Sequence, residues 1–238
     1  STFVKDFRFL CDNNFLHSDK LKPDLDKLEI EVTGDIHDGT GVCIITYNNQ
    51  KVVYKRKSSI ANRFLRKIDL MVSEFFNKEI RFIPNILDRD GYFWEQYINN
   101  QKLKNANEAR EYYTNMGFLL FYAYIFNISD LHFENIIAHG EYPVVIDTET
   151  FFQQNIPLKF IDHANINIKY DYMNSVITTG LIPFKILTER SKDKREGIDI
   201  SGLSVGGTKI PFKTLSIVNR GSEDIKYEYV TKNIHKSN

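Results

Sequence analysis

The chain has 238 residues with 31 basic and 31 acidic side chains, so its formal net charge is zero and nothing global favours a nucleic acid or an anionic membrane as partner. Hydrophobic residues make up 42% and aromatic residues 13% of it, enough for one large domain or two small lobes sharing a cleft, and too much for a disordered chain. No apolar run reaches the roughly 20 residues of a membrane span. The first ten residues, STFVKDFRFL, carry charges within their apolar stretch and so make no signal peptide. A cytoplasmic protein is expected. Two cysteines form no disulfide framework, and Cys43, within Val42-Cys43-Ile44-Ile45, reads as a buried small hydrophobe.

In chain order, the first 27 residues give little beyond a short helix and a turn at Lys22-Pro23-Asp24. Leu28-Glu29-Ile30-Glu31-Val32 alternates as a half-buried strand does. The Gly- and Asp-rich stretch Gly34 to Gly41 predicts a loop, and Val42 to Tyr47 with Lys51 to Lys55 predicts a hairpin turning at Asn48-Asn49-Gln50. Ser58-Ser59 caps a predicted helix from about Ile60 to Phe76, on which Ile60, Phe64, Ile68, Met71, Val72 and Phe75 share one arc. Gly91 to Ile98 is a further strand candidate, and a second helix covers Ala106 to Phe126. The expected class is α+β: a two-lobed, kinase-like fold. Its β-rich N-lobe with one helix takes residues 1–98 and its mainly helical C-lobe residues 99–238, with a hinge near Glu95 to Asn100.

The densest chemistry lies in Asp130-Leu131-His132-Phe133-Glu134-Asn135, followed by the apolar strand Val144-Val145-Ile146 and Asp147. Phosphoryl transfer uses such a set: one Asp beside the incoming hydroxyl, and an Asn and a second Asp holding magnesium. Asp130 precedes Asn135 by five residues, the spacing of a kinase catalytic loop, and Asp147 follows a tight turn at the end of its strand. Lys55 ends a strand from which one charge can meet the α- and β-phosphates of ATP. Glu74, nineteen residues on, is a candidate helix acid, with Asp69 on the opposite margin of the same arc as the alternative. Each residue has a blander counterpart: Asp35 and Asp38 as turn formers beside glycine, His37 as a solvated loop residue, Lys55 as part of an exposed Lys-Arg-Lys cluster. The joint order of Gly-rich loop, strand Lys, helix acid, hinge, Asp-x-x-x-x-Asn and strand Asp outweighs them.

Residues 130 to 152 (DLHFENIIAHGEYPVVIDTETFF) resemble the corresponding stretch of class II lanthipeptide synthetases, the LanM enzymes. Gly34-Asp35-Ile36-His37 is similar to their Gly-Asp-x-His motif, and Val53-Tyr54-Lys55-Arg56 to Val-Tyr-Lys-Pro-Arg with the proline missing. Tyr92-Phe93-Trp94-Glu95 is similar to the Tyr-Gly-Trp and hinge acid. Ser175 to Pro183, Asp199 to Leu203 and Gly206-Gly207 extend the resemblance to about residue 225.

The resemblance implies a lipid-kinase-like fold that uses ATP and magnesium to phosphorylate Ser and Thr of a ribosomally made precursor peptide, then eliminates phosphate. It assigns Asp35, His37 and Lys55 to the phosphorylation site and completes it with Asp130, His132, Asn135 and Asp147. In that assignment Asp130 handles the hydroxyl, Lys55 and the hinge acid Glu95 serve the nucleotide, and Asn135 and Asp147 hold the metal; Glu74, from its spacing to Lys55, is counted with the nucleotide site. The family's Arg-x-Thr segment for elimination is missing; Arg190, Arg195 and Arg220, the late arginines, sit in other contexts. A stand-alone kinase whose product is a phosphopeptide is therefore preferred over a piece of a larger dehydratase and cyclase. Two rivals remain: a zinc or manganese hydrolase built on Asp35-x-His37 and Asp130-x-His132, and a peptide-binding module without catalysis. Lys55 and the Asp-to-Asn spacing disfavour the first, and the intact set Lys55, Asp130, Asn135 and Asp147 the second. The charged run Glu189 to Glu196 reads as a solvated loop. The oligomeric state is left open.

Overall fold

Phe3, Phe7 and Leu10 recur at helical spacing, and in the computed structural model they form the buried stripe of helix α1 (Thr2–Asp12). The structure describes residues 2–37, 40–151, 175–187, 197–204, 209–218 and 226–233. It divides into two compact units, Ser1–Phe75 with Ile83–Ile98, and Phe76–Phe82 with Asn99–Asn238. The protein is α+β, with antiparallel pairing in its named sheets and three α-helices among the described residues.

In the first unit β1 (Leu28–His37), β2 (Thr40–Tyr47), β3 (Gln50–Lys55), β4 (Ile86–Arg89) and β5 (Tyr92–Gln96) make one antiparallel sheet in the order β1-β2-β3-β5-β4. The β2–β3 turn needs only Asn48 and Asn49, both at positive φ (49° and 63°), the backbone of a two-residue hairpin whose twist matches its strands. The loop expected over Gly34 to Gly41 is mostly strand. β1 shifts register after Thr33 and resumes pairing at His37 opposite Thr40, an irregularity that keeps this stretch within the sheet. β4 was not foreseen. It pairs with β5 across Asp90-Gly91, where Gly91 takes φ +79°.

Strand parity gives this sheet two different faces. Ile45, Tyr47, Val52 and Trp94 face α1 and close a core with Phe3, Phe7, Leu10 and Leu16; Cys43, Tyr54 and Tyr92 pack at its margin. Both cysteines are free thiols, half-buried, and burial raises the pKa of each. Into that aromatic core α1 also carries Asp6, only 2% exposed. Its Oδ2 accepts from Trp94 Nε1 (2.9 Å) and Tyr92 Oη (2.5 Å), and its Oδ1 meets the Arg89 guanidinium at 3.3 Å. A buried carboxylate is tolerable when so paired. The first unit therefore has two α-helices: the short helix expected in the first 27 residues supplies a full apolar stripe to the sheet, and the other is the helix expected from Ile60.

Helix α2 (Ile60–Phe76) forms where expected, but its buried side is rotated from the expected arc, of which Ile68 and Val72 are half-buried. Ile60, Phe64, Met71 and Phe75 are exposed, and Asn62, Leu65 and Asp69 are the buried residues. Asp69 Oδ2 accepts from the Ile83 amide (3.3 Å) and Arg66 Nη1 donates to the Ile83 carbonyl (3.2 Å), so the polar side of the helix satisfies a buried peptide unit.

The second unit contains α3 (Ala106–Ile125), capped by Asn105, whose side chain accepts from the amides of Asn107 and Glu108. Tyr112, Met116, Leu119 and Ala123 are buried on one face, as their spacing predicts. The described remainder is three hairpins, β6 (Ile136–His139) with β7 (Tyr142–Val145), β8 (Lys185–Leu187) with β9 (Gly197–Asp199), and β10 (Lys209–Val218) with β11 (Lys226–Asn233), plus a 3-10 turn, Val176–Thr179. Among the described residues this unit is thus richer in hairpins than the mainly helical lobe expected, because its chain turns back on itself at short intervals. The run Glu189 to Glu196, Gly206-Gly207, Phe152, Arg190, Arg195 and Arg220 lie outside the described residues. No helix among the described residues is long and apolar enough to cross a membrane.

The Tyr92–Asp6 contact makes an alkaline test. Burial, then the hydrogen bond to Asp6, pushes the Tyr92 phenol from 10.0 up to about 12. A pKa raised by folding stabilises fully below the unfolded value and is lost as pH climbs through the folded one, so stability should fall between pH 10 and about 12. Tyr112 and Tyr142 shift in the same direction. Replacing Tyr92 by Phe should therefore flatten only part of that fall in pH-dependent urea unfolding; an unchanged slope would refute the contribution of this contact.

Candidate active site

In the first unit Lys55 and Glu95 lie on the sheet face opposite α1. β3 and β5 pair Lys55 with Phe93 and Val53 with Glu95, which makes Lys55 and Glu95 diagonal neighbours on one face. Lys55 Nζ donates to Glu95 Oε1 at 2.6 Å, with the side chains 5% and 2% exposed. Lys55 is therefore no member of an exposed basic cluster, although Arg56 beside it is exposed. The ion pair described for Lys55 is with the acid expected at the hinge. Of the two helix acids, Glu74 is exposed and Asp69 is buried against Ile83. Asp35 and His37 belong to β1, and their side chains lie outside those described.

In the second unit α3 ends on Phe126, and Asn127 (φ +49°) turns the chain while Ile128 N closes on Ala123 O at 2.8 Å. The chain then enters the loop that carries the predicted chemistry. Asp130 sits at φ +65°, a left-handed conformation that Asp adopts more readily than most residues but at some cost. Its carboxylate is half exposed, while Leu131 beside it is 1% exposed and anchors the loop. His132 Nε2 lies 3.4 Å from Asp130 Oδ1. His132 Nδ1 accepts from the Glu134 amide at 3.1 Å, so in the neutral imidazole the proton resides on Nε2, facing Asp130. Asn135 Nδ2 donates to Asp130 O at 2.9 Å and reaches Oδ2 at 3.4 Å. Three predicted residues are thus gathered in one short loop.

Asp147 arrives by hairpin register. Ile136 pairs with Val145, and Ile146 N donates to Asn135 O at 3.0 Å, which puts Asp147 one residue beyond the partner of Asn135. Its Oδ1 accepts from the Glu149 amide at 3.1 Å, which orients the carboxylate. Among the described residues no three His, Cys, Asp or Glu side chains gather as a metal cluster. The donors on offer here are instead an amide oxygen and a carboxylate, hard oxygen ligands of the kind magnesium takes alongside substrate phosphates. Sequence reasoning missed what holds the loop from behind: Leu131 N donates to Thr179 O (2.8 Å), Phe133 N to Ile200 O (3.2 Å), and His132 bridges Ser201. The only signal for these segments was their resemblance to family motifs.

The fold and the loop define an α+β protein with a carboxylate, an imidazole and an amide held together beside a hairpin. The chain belongs to the DUF4135 family, a domain of unknown function whose model matches residues 3–238. It is 33% identical over 239 residues to the lacticin 481/lactococcin biosynthesis protein LcnDR2 of Lactococcus lactis subsp. lactis. That alignment takes in 96% of this chain and 24% of the relative, so the chain spans about a quarter of the curated relative's length. The relative is of the LanM type, as the resemblance of residues 130 to 152 implies.

The buried ion pair can be tested without any substrate. Lys55→Met should cost about 3–5 kcal/mol of unfolding free energy, since Glu95 keeps its burial and loses this ammonium, while Lys55→Met with Glu95→Leu should recover most of it. Urea titration of the three proteins measures this, and a double variant no more stable than Lys55→Met would show that loss of the ammonium does not strand the Glu95 carboxylate.

Proposed function

We propose that this chain phosphorylates Ser or Thr hydroxyls of a ribosomally made precursor peptide, with ATP as donor and magnesium bound. The observation that carries the reading is the single loop that joins Asp130, His132 and Asn135, with Asp147 next in the hairpin register. Family membership and the relative's part in lacticin biosynthesis supply the substrate class. Asp130 accepts the proton of the peptide hydroxyl as its oxygen bonds to the γ-phosphorus; the bond from that phosphorus to the bridging oxygen breaks and ADP leaves. His132, with its proton on Nε2, steadies the Asp130 carboxylate. Asn135 and Asp147 hold magnesium, which when bound neutralises charge on the phosphates. Lys55, kept in place by Glu95, contributes a cation for the α- and β-phosphates. Asp35 and His37 complete the phosphorylation site, as the resemblance assigns them.

The test is incubation of the purified chain with ATP, magnesium and a precursor peptide encoded beside it, read by mass spectrometry. A gain of about 80 Da per site is expected, and Asp130→Asn should slow it roughly 10²–10⁴-fold, the usual contribution of a positioned base. A loss of about 18 Da would mean that this chain also eliminates phosphate after transferring it. No mass change together with no ATP binding would overturn the kinase reading in favour of a peptide-binding module.

A further inference from the structure

Two glycines stand against the backbone of the residue that separates Asp130 from His132. Gly180 closes the Val176–Thr179 turn at φ +76°, and a Cβ there would lie 3.0 Å from Leu131 N. Gly202 needs no unusual backbone angle, but a Cβ on it would lie 2.5 Å from Leu131 O, 2.7 Å from Ile136 Cδ1 and 2.8 Å from Leu181 Cδ1. The first of these is a backbone atom and cannot swing aside. Gly202 N donates to Gly180 O at 2.9 Å, so the two glycines are themselves joined, and both are buried. Leu131 N donates to Thr179 O, one residue before Gly180, and Phe133 N to Ile200 O, two residues before Gly202. The peptide groups on both sides of Leu131 are therefore seated in a saddle made from two segments far along the chain.

We infer that Gly180 and Gly202 are positioning residues for the Asp130–Asn135 loop: the missing side chains let two backbones approach Leu131 closely enough to fix where Asp130 and His132 stand. The inference deepens the phosphotransfer reading and rests on it for its catalytic consequence, though the geometry it asserts is independent of any substrate. Asp130 already occupies the left-handed region, a conformation that persists only where the surroundings impose it, and the hydrogen bonds of the saddle are what the structure offers for that purpose. A methyl group at residue 202 pushes the Leu131 carbonyl outward. It carries with it the two side chains that flank Leu131.

The experiment compares Gly202→Ala with Gly180→Ala and with Gly117→Ala, an exposed helical glycine whose Cβ would meet nothing within 4 Å. Native-state hydrogen exchange reads the loop with no ligand present. In Gly202→Ala the amides of Leu131 and Phe133 should exchange roughly tenfold or more faster, while the cross-strand amides of the β6–β7 hairpin keep their protection. With ATP and the precursor peptide, kcat should fall about 10²-fold, as an ångström of misplacement at a reacting group entails, while KM for ATP stays within a factor of about 2. Gly180→Ala should show the same split to a lesser degree, and it carries the test where Gly202→Ala fails to fold. Gly117→Ala should match the parent protein.

Unchanged exchange at Leu131 and Phe133, or faster exchange spread evenly through the hairpin, would overturn the inference. So would a parent-like kcat in a folded Gly202→Ala protein whose parent phosphorylates the peptide. If the parent itself transfers no phosphate, the phosphotransfer reading fails alone, and the exchange result still decides whether the glycines position the loop.

Discussion

The alternation of side chains across β3 and β5 is the constraint from which the first unit follows. Val52, Tyr54 and Trp94 are even-numbered neighbours and must share a face; Val53, Lys55, Phe93 and Glu95 are odd-numbered and must share the other. A one-residue slip would bring Lys55 into the aromatic core under α1 and put Trp94 outside it. Two independent anchors prevent that slip. On one face Trp94 donates to the buried Asp6 of α1, and on the other Lys55 meets Glu95. Each is a charged group taken out of water and paired at hydrogen-bond distance, so each penalises every wrong register by leaving that charge stranded. The sheet is thus specified by its two polar contacts as much as by its apolar ones.

The second unit solves a different problem. A loop that must present a half-exposed carboxylate cannot be held by burial of that carboxylate, so it is held by the residue next to it. Leu131 goes into the core, its amide is taken by Thr179, and the neighbouring backbone is bridged to Ser201. Asn135 then ties the far end of the loop back to the carbonyl of Asp130, and the hairpin that follows is locked to it through Ile146. Rigid placement comes from main-chain hydrogen bonds, which leaves the side chains of Asp130 and His132 available at the surface.

How much of this was legible depends on how local the signal was. The five-residue step from Asp130 to Asn135, the strand before Asp147 and the helix from Ala106 are short-range patterns, and they survive folding nearly unchanged: β7 ends at Val145 and α3 at Ile125, one residue short of the expected Phe126. The face of α2 was misread because periodicity reports that a helix has two sides without saying which one turns inward. Leu65, Asn62 and Asp69 went in because Ile83 needed partners for its peptide groups, a demand made by a residue fourteen positions from Asp69. β4 was overlooked although Ile86 to Arg89 followed by Asp90-Gly91 is a hairpin signal; Pro84 signals the end of an element as strongly as the start of one. The pairing of Lys55 with Glu95 was hidden for the same reason as Ile83: it joins positions forty residues apart, and only strand order makes them neighbours.

The choice of Asn at position 135 shows how the loop reconciles two electrostatic demands. An aspartate there would set a second carboxylate beside that of Asp130, and like charges at such range raise one pKa or push the groups apart. An amide has two unlike ends. Its Nδ2 donates to the Asp130 carbonyl and approaches the Asp130 carboxylate, while its Oδ1 is an oxygen of the type that a hard cation takes. His132 stands on the other side of that carboxylate, its Nδ1 occupied by the Glu134 amide and its Nε2 3.4 Å from Asp130 Oδ1. The loop therefore surrounds one anion with donors and leaves the second anion, Asp147, one step further along the hairpin. Separated in that way, the two carboxylates have different surroundings, one beside an imidazole and an amide and the other oriented by the Glu149 backbone.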